Sequence, residues 1–536
     1  MSASTVPATI TRERSGLVLG PAVFAVQYLF TPIAMPPEAA AVLAGTLWIA
    51  IWWMTEAVPI PVTALLPIVL FPLAGVLTVA GATTPYADPI VFLLLGGFLL
   101  ALSVERWNLH ERLALVVIDV VGFGSRRLVL GFMVATGFLS MWISNTATAM
   151  MMVPIGTAVI AQLSALTGEK ADSDGEVWSD DGEGRSDDGE GRSGDGRARS
   201  DGGEAVPDSN ADLVRAVDVD PSTLPSTNFG IAVMLGIAYG ASIGGAATLI
   251  GSPPNAILAG VAASALDVRI GFLDWMLFAL PVSTVFLLVA WALLVTTVPP
   301  EAKTIEGGRD LIRARLDALG AMSRGERRTL AVFGLVVVGW VTRPFLLEPV
   351  VPAVTDTVIA IVGAVLLFVV PVDREEGTVL LDWETTSRLP WGVLILLGAG
   401  FSIAAAFQAS GLDRWIAERV LAVGGVGLLG VLLLVGTVVV FLTEVNSNTA
   451  TASVFLPIMV GVGYALGVSP LSLMAVTALT ASYAFMLPVA TPPNAIVFGS
   501  GYMTVPQMAR VGVRLNVLGV LLATAATYLW LPIVFW

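Results

Sequence analysis

The stretch WISNTATAMMMVP, Trp142–Pro154, returns in the second half of the chain as VNSNTATASVFLP, Val445–Pro457. Ser-Asn-Thr-Ala-Thr-Ala, six small and mostly polar residues, therefore stands twice in a chain of 536 residues, of which 56% are hydrophobic and 13% charged. Apolar runs of about 20 residues, the length of a helix that crosses a bilayer, recur along most of the chain. These runs predict an all-α polytopic membrane protein. Polar residues are unfavourable at membrane depth, so a polar motif that occurs twice indicates a specific role.

The acidity of the chain is concentrated in one segment. Residues 167–220 contain 17 acidic and 6 basic residues, which account for −11 of the total net charge of −14. The segment repeats Asp-Gly-Glu-Gly-Arg-Ser and has few apolar side chains, so it predicts a disordered acidic insertion at 167–226. The chain has no cysteine and a single histidine, His110, which excludes thiolate chemistry and leaves little scope for histidine-based metal or catalytic centres.

The basic residues predict the orientation of the chain, because Lys and Arg in short loops stay on the cytoplasmic side. They cluster before the first helix, after the fourth, in one later loop and before the last helix. Placing all four clusters inside requires an odd number of spans, about 11, plus two re-entrant hairpins. We predict the hairpins at Leu128–Leu163 and Leu428–Leu466, each with its Ser-Asn-Thr motif near the turn. In this plasma-membrane or inner-membrane topology the N-terminus and the acidic insertion are cytoplasmic and the C-terminus is outside.

Two further pairs of segments make the halves of the chain an internal repeat. FLLLGGFLLALSVERWNLHERLA (Phe92–Ala114) resembles LILLGAGFSIAAAFQASGLDRWIA (Leu394–Ala417), and LIGSPPNAI (Leu249–Ile257) resembles PVATPPNAI (Pro488–Ile496). Each half therefore contains an apolar helix, an amphipathic helix, a Ser-Asn-Thr motif and a Pro-Pro-Asn motif, in that order. With an odd number of spans between them the repeats are inverted, which is the plan of many secondary transporters.

The Pro-Pro-Asn motifs predict broken helices. Each proline pair, Pro253–Pro254 and Pro492–Pro493, removes two amide donors and clashes with the preceding turn. Backbone freed in this way is tolerated at membrane depth only inside protein or beside a wet cavity. We expect Asn255 and Asn494 at the N-cap position, where each would open the second half of its helix.

The chemistry of these motifs favours an anion that is carried together with cations. Half-helix N-termini offer N–H groups and positive dipole ends to an anion, while unwound carbonyls coordinate small cations. The motifs contain no Lys or Arg and offer neutral oxygen ligands, which suits sodium better than a proton relay. One Ser-Asn-Thr motif alone would indicate close packing and hydrogen bonding between helices, but its duplication favours a binding site. For Glu444, four residues before Asn448, a ligand-supporting role and a structural role both stay open.

These motifs, together with WWMTEAVPIPVTALLP (Trp52–Pro67) and ASYAFMLPVATPPNAIV (Ala481–Val497), resemble the divalent anion/sodium symporter family of di- and tricarboxylate and sulfate transporters. The resemblance runs from the first helix to the last and leaves out only the acidic insertion. It implies a homodimer with an elevator mechanism, in which a transport domain slides against a fixed scaffold.

The implied domain organisation has four parts. Residues 1–127 are scaffold helices and an interfacial helix, and residues 128–297 are the first half of the transport domain, with the first hairpin, the first broken helix and the insertion. Residues 298–425 hold a cytoplasmic loop, scaffold helices and a second interfacial helix. Residues 426–536 are the second half of the transport domain, with the second hairpin, the second broken helix and the last helix.

Carried over residue by residue, the resemblance implies two or more sodium sites and a substrate site. One sodium ion would lie near Ser140, Ser144, Asn145 and Gly251, and a second near Thr443, Ser447, Asn448 and Ala490. Substrate carboxylates would meet Asn145, Thr146, Ser252, Asn448, Thr449 and Thr491. Some family members are sodium-independent exchangers with basic side chains in place of the cations. The equivalent positions here hold none, which favours symport.

Other functions stay open at this point. A passive anion channel could use the same hairpins, whereas an intramembrane enzyme is disfavoured because clusters of His, Cys and acidic residues are missing. Among transporters, sodium-independent exchange and sodium/sulfate or sodium/citrate symport are the alternatives. Two complete Ser-Asn-Thr motifs suit a substrate with two separated anionic groups, so we predict a C4-dicarboxylate such as succinate. We expect the lipid bilayer, this anion and a second copy of the chain as partners, and no nucleic acid.

Overall fold

The computed structural model describes most of the chain. The described residues are 12–30, 35–173, 227–301, 308–373, 375, 377–421 and 427–535. The predicted insertion, 167–226, lies outside them except for its first seven residues. These seven continue a helix that ends at Ser173, so the predicted start of the loop at 167 was wrong.

The described residues are mainly helical. The first half contains α1 Arg12–Leu29, α2 Pro37–Thr55, α3 Ile60–Thr63, α4 Leu66–Leu73, α5 Val79–Thr83, α6 Pro89–Arg106, α7 Leu109–Val121, α8 Ser125–Ser140, α9 Asn145–Ser173, α10 Asn228–Gly245, α11 Pro253–Leu266 and α12 Phe272–Thr297. The second half contains α13 Gly308–Ala318, α14 Arg324–Thr342, α15 Asp356–Val369, α16 Trp391–Ser410, α17 Leu412–Leu421, α18 Leu428–Thr443, α19 Asn448–Leu466, α20 Pro470–Ala481, α21 Pro492–Gly499, α22 Val505–Leu529 and α23 Leu531–Phe535. Two short antiparallel strands, β1 Pro371–Asp373 and β2 Thr378–Val379, follow α15.

The helices confirm the predicted all-α polytopic class. Within the described residues, eight stretches are long and apolar enough to cross a membrane, namely α2, Val79–Arg106, α10, α12, Arg324–Leu347, α16, α19 and α22. Helix α19 belongs to a hairpin. Shorter apolar helices, among them α15 and α18, lie beside these eight, and the count of about 11 spans stays a prediction.

Both predicted re-entrant segments form helical hairpins. Helices α8 and α9 form the first, and residues 140–146 at its turn are here named tip 1. Helices α18 and α19 form the second, with the bounds Leu428–Leu466 as predicted, and residues 443–449 are named tip 2. Each tip holds one Ser-Asn-Thr motif, and its asparagine is the first residue of the returning helix.

Both Pro-Pro-Asn motifs interrupt a helix. Residues 246–252, named break 1, separate α10 from α11, and residues 482–491, named break 2, separate α20 from α21. In each case the proline pair occupies the first two positions of the second half-helix. Prolines are tolerated there because the amide groups of a first helical turn have no partner within the helix.

Close helix packing holds hairpin 1 against the first broken helix. Helix α10 is buried along Phe229–Gly245. A Cβ atom on Gly244 would overlap the backbone of Gly137 in α8, and one on Gly240 would lie 2.8 Å from the carbonyl oxygen of Met133. Backbone approach of this kind is how small residues join membrane helices, and it fixes break 1 beside tip 1.

Aromatic rings support break 2 from the side of the first repeat. The hydroxyl of Tyr239 in α10 donates to the carbonyl oxygen of Phe485 at 3.1 Å, and the two rings lie edge to face, 5.1 Å apart. Phe286 of α12 packs against the rings of both Tyr483 and Phe485. The second break is therefore held in place by helices of the first repeat.

Candidate functional site

Both tips and both breaks line one cavity of about 1040 Å³. The lining includes every predicted substrate residue, namely Asn145, Thr146, Ser252, Asn448, Thr449 and Thr491. It also includes the predicted sodium residues Ser144, Gly251, Ser447 and Ala490. Ser140 and Thr443 are fully buried at the ends of α8 and α18, directly before the turns. The structure thus gathers residues that are far apart in the sequence into one place.

The two tips have the same internal geometry. In tip 1 the hydroxyl of Ser140 donates to Oδ1 of Asn145 at 2.6 Å. In tip 2 the hydroxyl of Thr443 donates to Oδ1 of Asn448 at 2.8 Å. Each bond spans five residues across the turn, so it fixes the carbonyl of the asparagine side chain in both repeats. Ser144 has a second role, because its hydroxyl accepts from the backbone N–H of Ala147 and caps α9.

Oxygen atoms from three segments pack closely against the backbone of break 1. A Cβ atom on Gly251 would lie 2.6 Å from the carbonyl oxygen of Gly245 and 2.8 Å from that of Ser140. A Cβ atom on Gly245 would lie 2.9 Å from the carbonyl oxygen of Gly251 and would overlap Oδ1 of Asn145. The carbonyl oxygens of Ser140, Gly245 and Gly251 and Oδ1 of Asn145 therefore lie close to the backbone of the two glycines. Hard cations take oxygen ligands of this kind, and these oxygens lie where the first sodium site is predicted.

Gly245 is a candidate ligand that sequence reasoning missed. It contributes only a backbone carbonyl oxygen, and every residue type has one, so the residue type does not predict this role. The available signal was the Gly244–Gly245 pair at the end of α10, since adjacent glycines before a proline pair indicate a close approach of backbone.

The second candidate sodium site uses the same elements, with alanines at two positions that are glycine in the first repeat. The hydroxyl of Thr443 also lies 3.0 Å from the carbonyl oxygen of Ala481. The Pro-Pro-Asn motifs align Gly245 with Ala484 and Gly251 with Ala490, so break 2 accommodates two methyl groups where break 1 has none. Both alanines are buried. The predicted residues of the second site therefore keep the hydroxyl and amide groups of the first, beside alanines in place of glycines.

The asparagines of the Pro-Pro-Asn motifs are not N-caps, and that prediction was wrong. The N-cap residues are Ser252 and Thr491, and the hydroxyl of Thr491 accepts from the backbone N–H of Asn494 at 3.2 Å. The two prolines have no N–H to be capped, so the first available donor belongs to the asparagine itself. The asparagine side chains turn back into the breaks and are fully buried.

Each of these asparagines satisfies carbonyl groups that the break leaves without helical partners. The amide of Asn255 donates to Gly245 at 3.4 Å, Ala246 at 3.1 Å and Thr248 at 2.8 Å. The amide of Asn494 donates to Ala484 and Leu487, both at 3.0 Å. Unpaired carbonyls at membrane depth cost several kcal/mol each. The asparagines therefore stabilise the shape of the loops that line the cavity.

Each tip is fastened to its break by a different group. At the first repeat the hydroxyl of Thr248 donates to the carbonyl oxygen of Met141 at 2.5 Å and accepts from the N–H of Gly251 at 3.0 Å. At the second repeat the carboxylate of Glu444 accepts from three backbone N–H groups and one amide. These donors are Phe485 at 2.7 Å, Met486 at 2.9 Å, Leu487 at 3.0 Å and Nδ2 of Asn516 at 2.7 Å.

Four charged residues also line the cavity, and none belongs to a tip or a break. They are Glu13, Glu56, Glu105 and Arg388. Arg388 is the one basic residue in the described lining, and it pairs with Glu105 at 2.5 Å. The neighbouring pair, Arg106 with Asp382, joins the same two segments. Hydrogen bonds from Thr385, and then Arg106, hold the pKa of Asp382 below its ordinary value.

Comparison with known proteins identifies the family. The family model described as the sodium:sulfate symporter transmembrane region matches residues 14–536. The chain belongs to the divalent anion/sodium symporter family. It is 40% identical over 522 residues to the sodium-dependent dicarboxylate transporter SdcS of Staphylococcus saprophyticus, covering 96% of this chain and 91% of that one. The SdcS protein of Staphylococcus aureus is 40% identical over 524 residues, covering 97% and 91%.

A solved transporter has a similar fold. The crystal structure of the YdaH transporter of Alcanivorax borkumensis matches with a TM-score of 0.50 and 14% sequence identity, over 91% of this chain and 98% of that one. At this identity the match concerns the fold alone. As a member of the divalent anion/sodium symporter family the chain is a multi-pass membrane transporter and not an enzyme.

Proposed function

We propose that the protein is a secondary active transporter that carries out sodium-coupled symport of a C4-dicarboxylate such as succinate. The observation that carries the proposal is the pair of tips with one geometry, facing a single cavity beside a cradle of neutral oxygens. The relatives that are 40% identical over nearly the whole chain are named as sodium-dependent dicarboxylate transporters, which supports both the ion and the substrate class.

The substrate would be held mainly by helix N-termini and neutral side chains. Four helices begin at the cavity, with Asn145, Pro253, Asn448 and Pro492 as their first residues. Helix N-termini attract anions because their dipoles are positive there, and the two helices that begin with proline pairs contribute the dipole alone, since prolines have no N–H. One carboxylate would meet Asn145, Thr146 and Ser252, and the other Asn448, Thr449 and Thr491.

Sodium would supply the positive charge that the tips and breaks lack. The first ion would be held by Ser140, Ser144, Asn145 and Gly251, with the carbonyl of Gly245 added. The second would be held by Thr443, Ser447, Asn448 and Ala490. Each tip asparagine would thus contact both an ion and a carboxylate, so that binding of the one strengthens binding of the other.

The movement proposed is an elevator motion in a homodimer. The hairpins and broken helices would move together as one transport domain, and scaffold helices would form the dimer contact. In the structure, Trp142 of tip 1 packs edge to face against Phe333 of α14, with ring centroids 5.1 Å apart. Helix α14 belongs to the proposed scaffold, so this contact would have to separate as the site moves. The N-terminus would lie in the cytoplasm and the C-terminus outside.

Cysteine cross-linking tests the elevator motion. The chain has no native cysteine, so a Trp142→Cys/Phe333→Cys pair can be joined selectively by a reducible bifunctional thiol reagent. We expect the cross-linked protein to lose transport and to recover it on reduction. Each single-cysteine variant, treated in the same way, serves as the control. Full transport by protein that is cross-linked to completion would contradict sliding at this contact.

Uptake into proteoliposomes tests symport and the tip asparagines. Losing a hydrogen bond to a charged group costs about 1.5–3 kcal/mol, so Asn145→Ala and Asn448→Ala should each weaken succinate binding roughly ten- to a hundredfold. The loss should shrink as sodium is raised, because the two ligands are linked. Asn446→Ile gives tip 2 the residue that tip 1 has at this place, and it should keep the sodium dependence of the parent.

The alternatives have distinct outcomes in the same assay. Uptake that persists without a sodium gradient and never exceeds the outside concentration would indicate a channel. Uptake that needs internal succinate and ignores sodium would indicate an exchanger. A panel of succinate, citrate and sulfate assigns the anion. If either alanine variant changes substrate affinity while its sodium dependence stays that of the parent, the shared-site model fails.

A further inference from the structure

Arg388 and Glu105 form an ion pair in the wall of the cavity. Nη2 of Arg388 lies 2.5 Å from Oε1 of Glu105, and both residues line the space that the tips and breaks also line. The Arg388 side chain is 59% exposed. A guanidinium has five N–H donors in a planar fork. Among the described residues Arg388 bonds to Glu105 alone, through one nitrogen, so other donors remain for a second carboxylate.

The two segments that carry Glu105 and Arg388 are joined by a second ion pair. Arg106, next to Glu105, pairs with Asp382. Oδ1 of Asp382 accepts from the backbone N–H of Thr385 at 2.9 Å, within the helical turn that carries Arg388. Exposed ion pairs add little stability. The segments therefore keep their positions when Arg388 and Glu105 separate, and separating the two costs little.

The charged residues of the cavity wall disfavour a dicarboxylate. Three acids, Glu13, Glu56 and Glu105, and one base, Arg388, give the described lining a net charge of −2, and the lining residues of the tips and breaks add none. A cavity of this volume is on the order of 10 Å across, close to the Debye length at physiological salt, so a charge on one wall acts on the opposite wall. An entering anion therefore meets one favourable charged side chain, which is Arg388.

The pair lies toward the predicted cytoplasmic side of the cavity. Glu105 is near the end of α6, and the basic residues that follow α6 form a predicted cytoplasmic cluster. Glu13, in the first turn of α1, is on the same predicted side. The alignment of the repeats places the neutral Gln408 opposite Glu105, so the second repeat does not duplicate this acid.

We infer that Arg388 is a second, weak binding site for the dicarboxylate at the cytoplasmic mouth of the cavity, where one carboxylate of the substrate displaces Glu105. The inference rests on the proposed transport of a dicarboxylate. Glu105 competes with the substrate for the guanidinium and keeps this site weak, so the anion passes on and is not retained. Arg388 belongs to the proposed scaffold, so the site stays at the mouth when the tips move.

Transport from the cytoplasmic side tests this site. Inside-out membrane vesicles with the full-length protein expose the mouth to the bath, and initial uptake of radioactive succinate at a fixed sodium concentration gives Vmax/KM, which measures capture. Losing the favourable charge of a charged cleft slows capture about tenfold, so Arg388→Gln should lower Vmax/KM about tenfold and leave Vmax nearly unchanged. Arg388→Lys keeps the charge and loses only the fork, so its Vmax/KM should stay within about threefold of the parent.

Glu105→Gln distinguishes this role from a structural one. Arg388→Gln and Glu105→Gln break the same ion pair, so a structural role predicts that both variants fall alike. The inference predicts opposite changes, because Glu105→Gln frees Arg388 and removes a negative charge, and Vmax/KM should rise about three- to tenfold. A fall in Glu105→Gln, or a parental Vmax/KM in Arg388→Gln, would overturn the inference. The Glu105→Gln result decides the matter even when Arg388→Gln does not fold.

Arg313→Gln is the matched control for the loss of an exposed arginine. Arg313 pairs with Asp119 at 3.5 Å, and neither residue is in the described lining of the cavity, so Vmax/KM should equal that of the parent. The difference between Arg388→Gln and the parent should shrink as choline chloride raises the ionic strength, because salt screens the charge. A difference that is the same at all salt concentrations would contradict electrostatic capture.

Uptake by the parent separates this inference from the proposed function. Sodium-dependent uptake of succinate by the parent, together with equal losses in Arg388→Gln and Glu105→Gln, would refute only the role of Arg388. Parent vesicles that take up no succinate in the presence of sodium would refute the proposed function, and this inference with it.

Discussion

Tip 1 and tip 2 carry the same hydrogen bond, from Ser140 to Asn145 and from Thr443 to Asn448, yet they meet their breaks in different ways. At the first repeat a single threonine hydroxyl joins tip and break, and the backbones approach so closely that only glycine fits at Gly251. At the second repeat the carboxylate of Glu444 accepts hydrogen bonds from four N–H groups. The two repeats therefore share the hydrogen bond inside the tip and differ in the groups that join the tip to the break.

The close backbone packing at break 1 gives the largest expected effect. Gly251→Ala would place a methyl group 2.6 Å from one carbonyl oxygen and 2.8 Å from another, at the proposed first sodium site. Overpacking costs about 1–3 kcal/mol, so sodium-dependent uptake should fall roughly five- to a hundredfold. The reverse change at the matching position, Ala490→Gly, removes a methyl group from break 2 and should stay within about threefold of the parent. Equal losses in the two variants would show that close packing is not specific to break 1.

The buried asparagines of the breaks should matter for stability in both repeats. Asn255→Ala and Asn494→Ala each leave carbonyl groups without donors, at a cost of about 1–3 kcal/mol per unpaired group. Ala246 keeps the indole N–H of Trp275 as a donor, and Leu487 keeps the backbone N–H of Ala490. Asn255→Ala therefore leaves two carbonyls without their donor and Asn494→Ala leaves one, so the first variant should melt lower. Thermal unfolding in detergent measures both. Asn255→Asp keeps the size but loses the amide donor, and a melting point like that of the parent would contradict the assigned role.

Removing the hydroxyl of Thr248, which joins tip 1 to break 1, should lower stability moderately. Thr248→Val removes the hydroxyl that joins Met141 to Gly251, and we expect a loss of about 0.5–1.5 kcal/mol for each of its two hydrogen bonds. Thr477→Val is the control, because that buried hydroxyl bonds only the carbonyl of Leu473 within its own helix. If both variants melt alike, Thr248 does not join the tip to the break.

The acidic insertion should have the smallest effect. The second repeat connects its tip to its break without such a segment, and solvated charged sequence seldom contributes to packing. Deleting residues 174–206 spares the described end of α9 and should leave succinate uptake within about twofold. A collapse of transport in correctly inserted protein would give the insertion a role that the repeat comparison does not explain.

Duplication made much of this site predictable from the sequence. Two copies of each motif located both hairpins and both breaks, because a turn or a proline pair has a local signature. The sequence did not reveal Gly245 or Thr248 as parts of the site, since a backbone carbonyl and a single hydroxyl acquire their roles only from neighbours far away in the chain. The roles of Asn255 and Asn494 were misjudged for a similar reason. The motif marks the end of the break, whereas the direction of the side chain depends on carbonyls freed seven to ten residues earlier.

The neutral lining of the tips and breaks also bears on how membrane voltage acts on the transport cycle. The residues that the tips and breaks place in the cavity wall carry no charge. If the site travels as proposed, the net charge moved in one cycle is therefore the charge of the cargo. Two sodium ions neutralise one dicarboxylate, and each further ion adds a charge whose passage through the whole field is worth about 2.3 kcal/mol per 100 mV. An inside-negative potential would then drive uptake only if more than two sodium ions accompany each substrate.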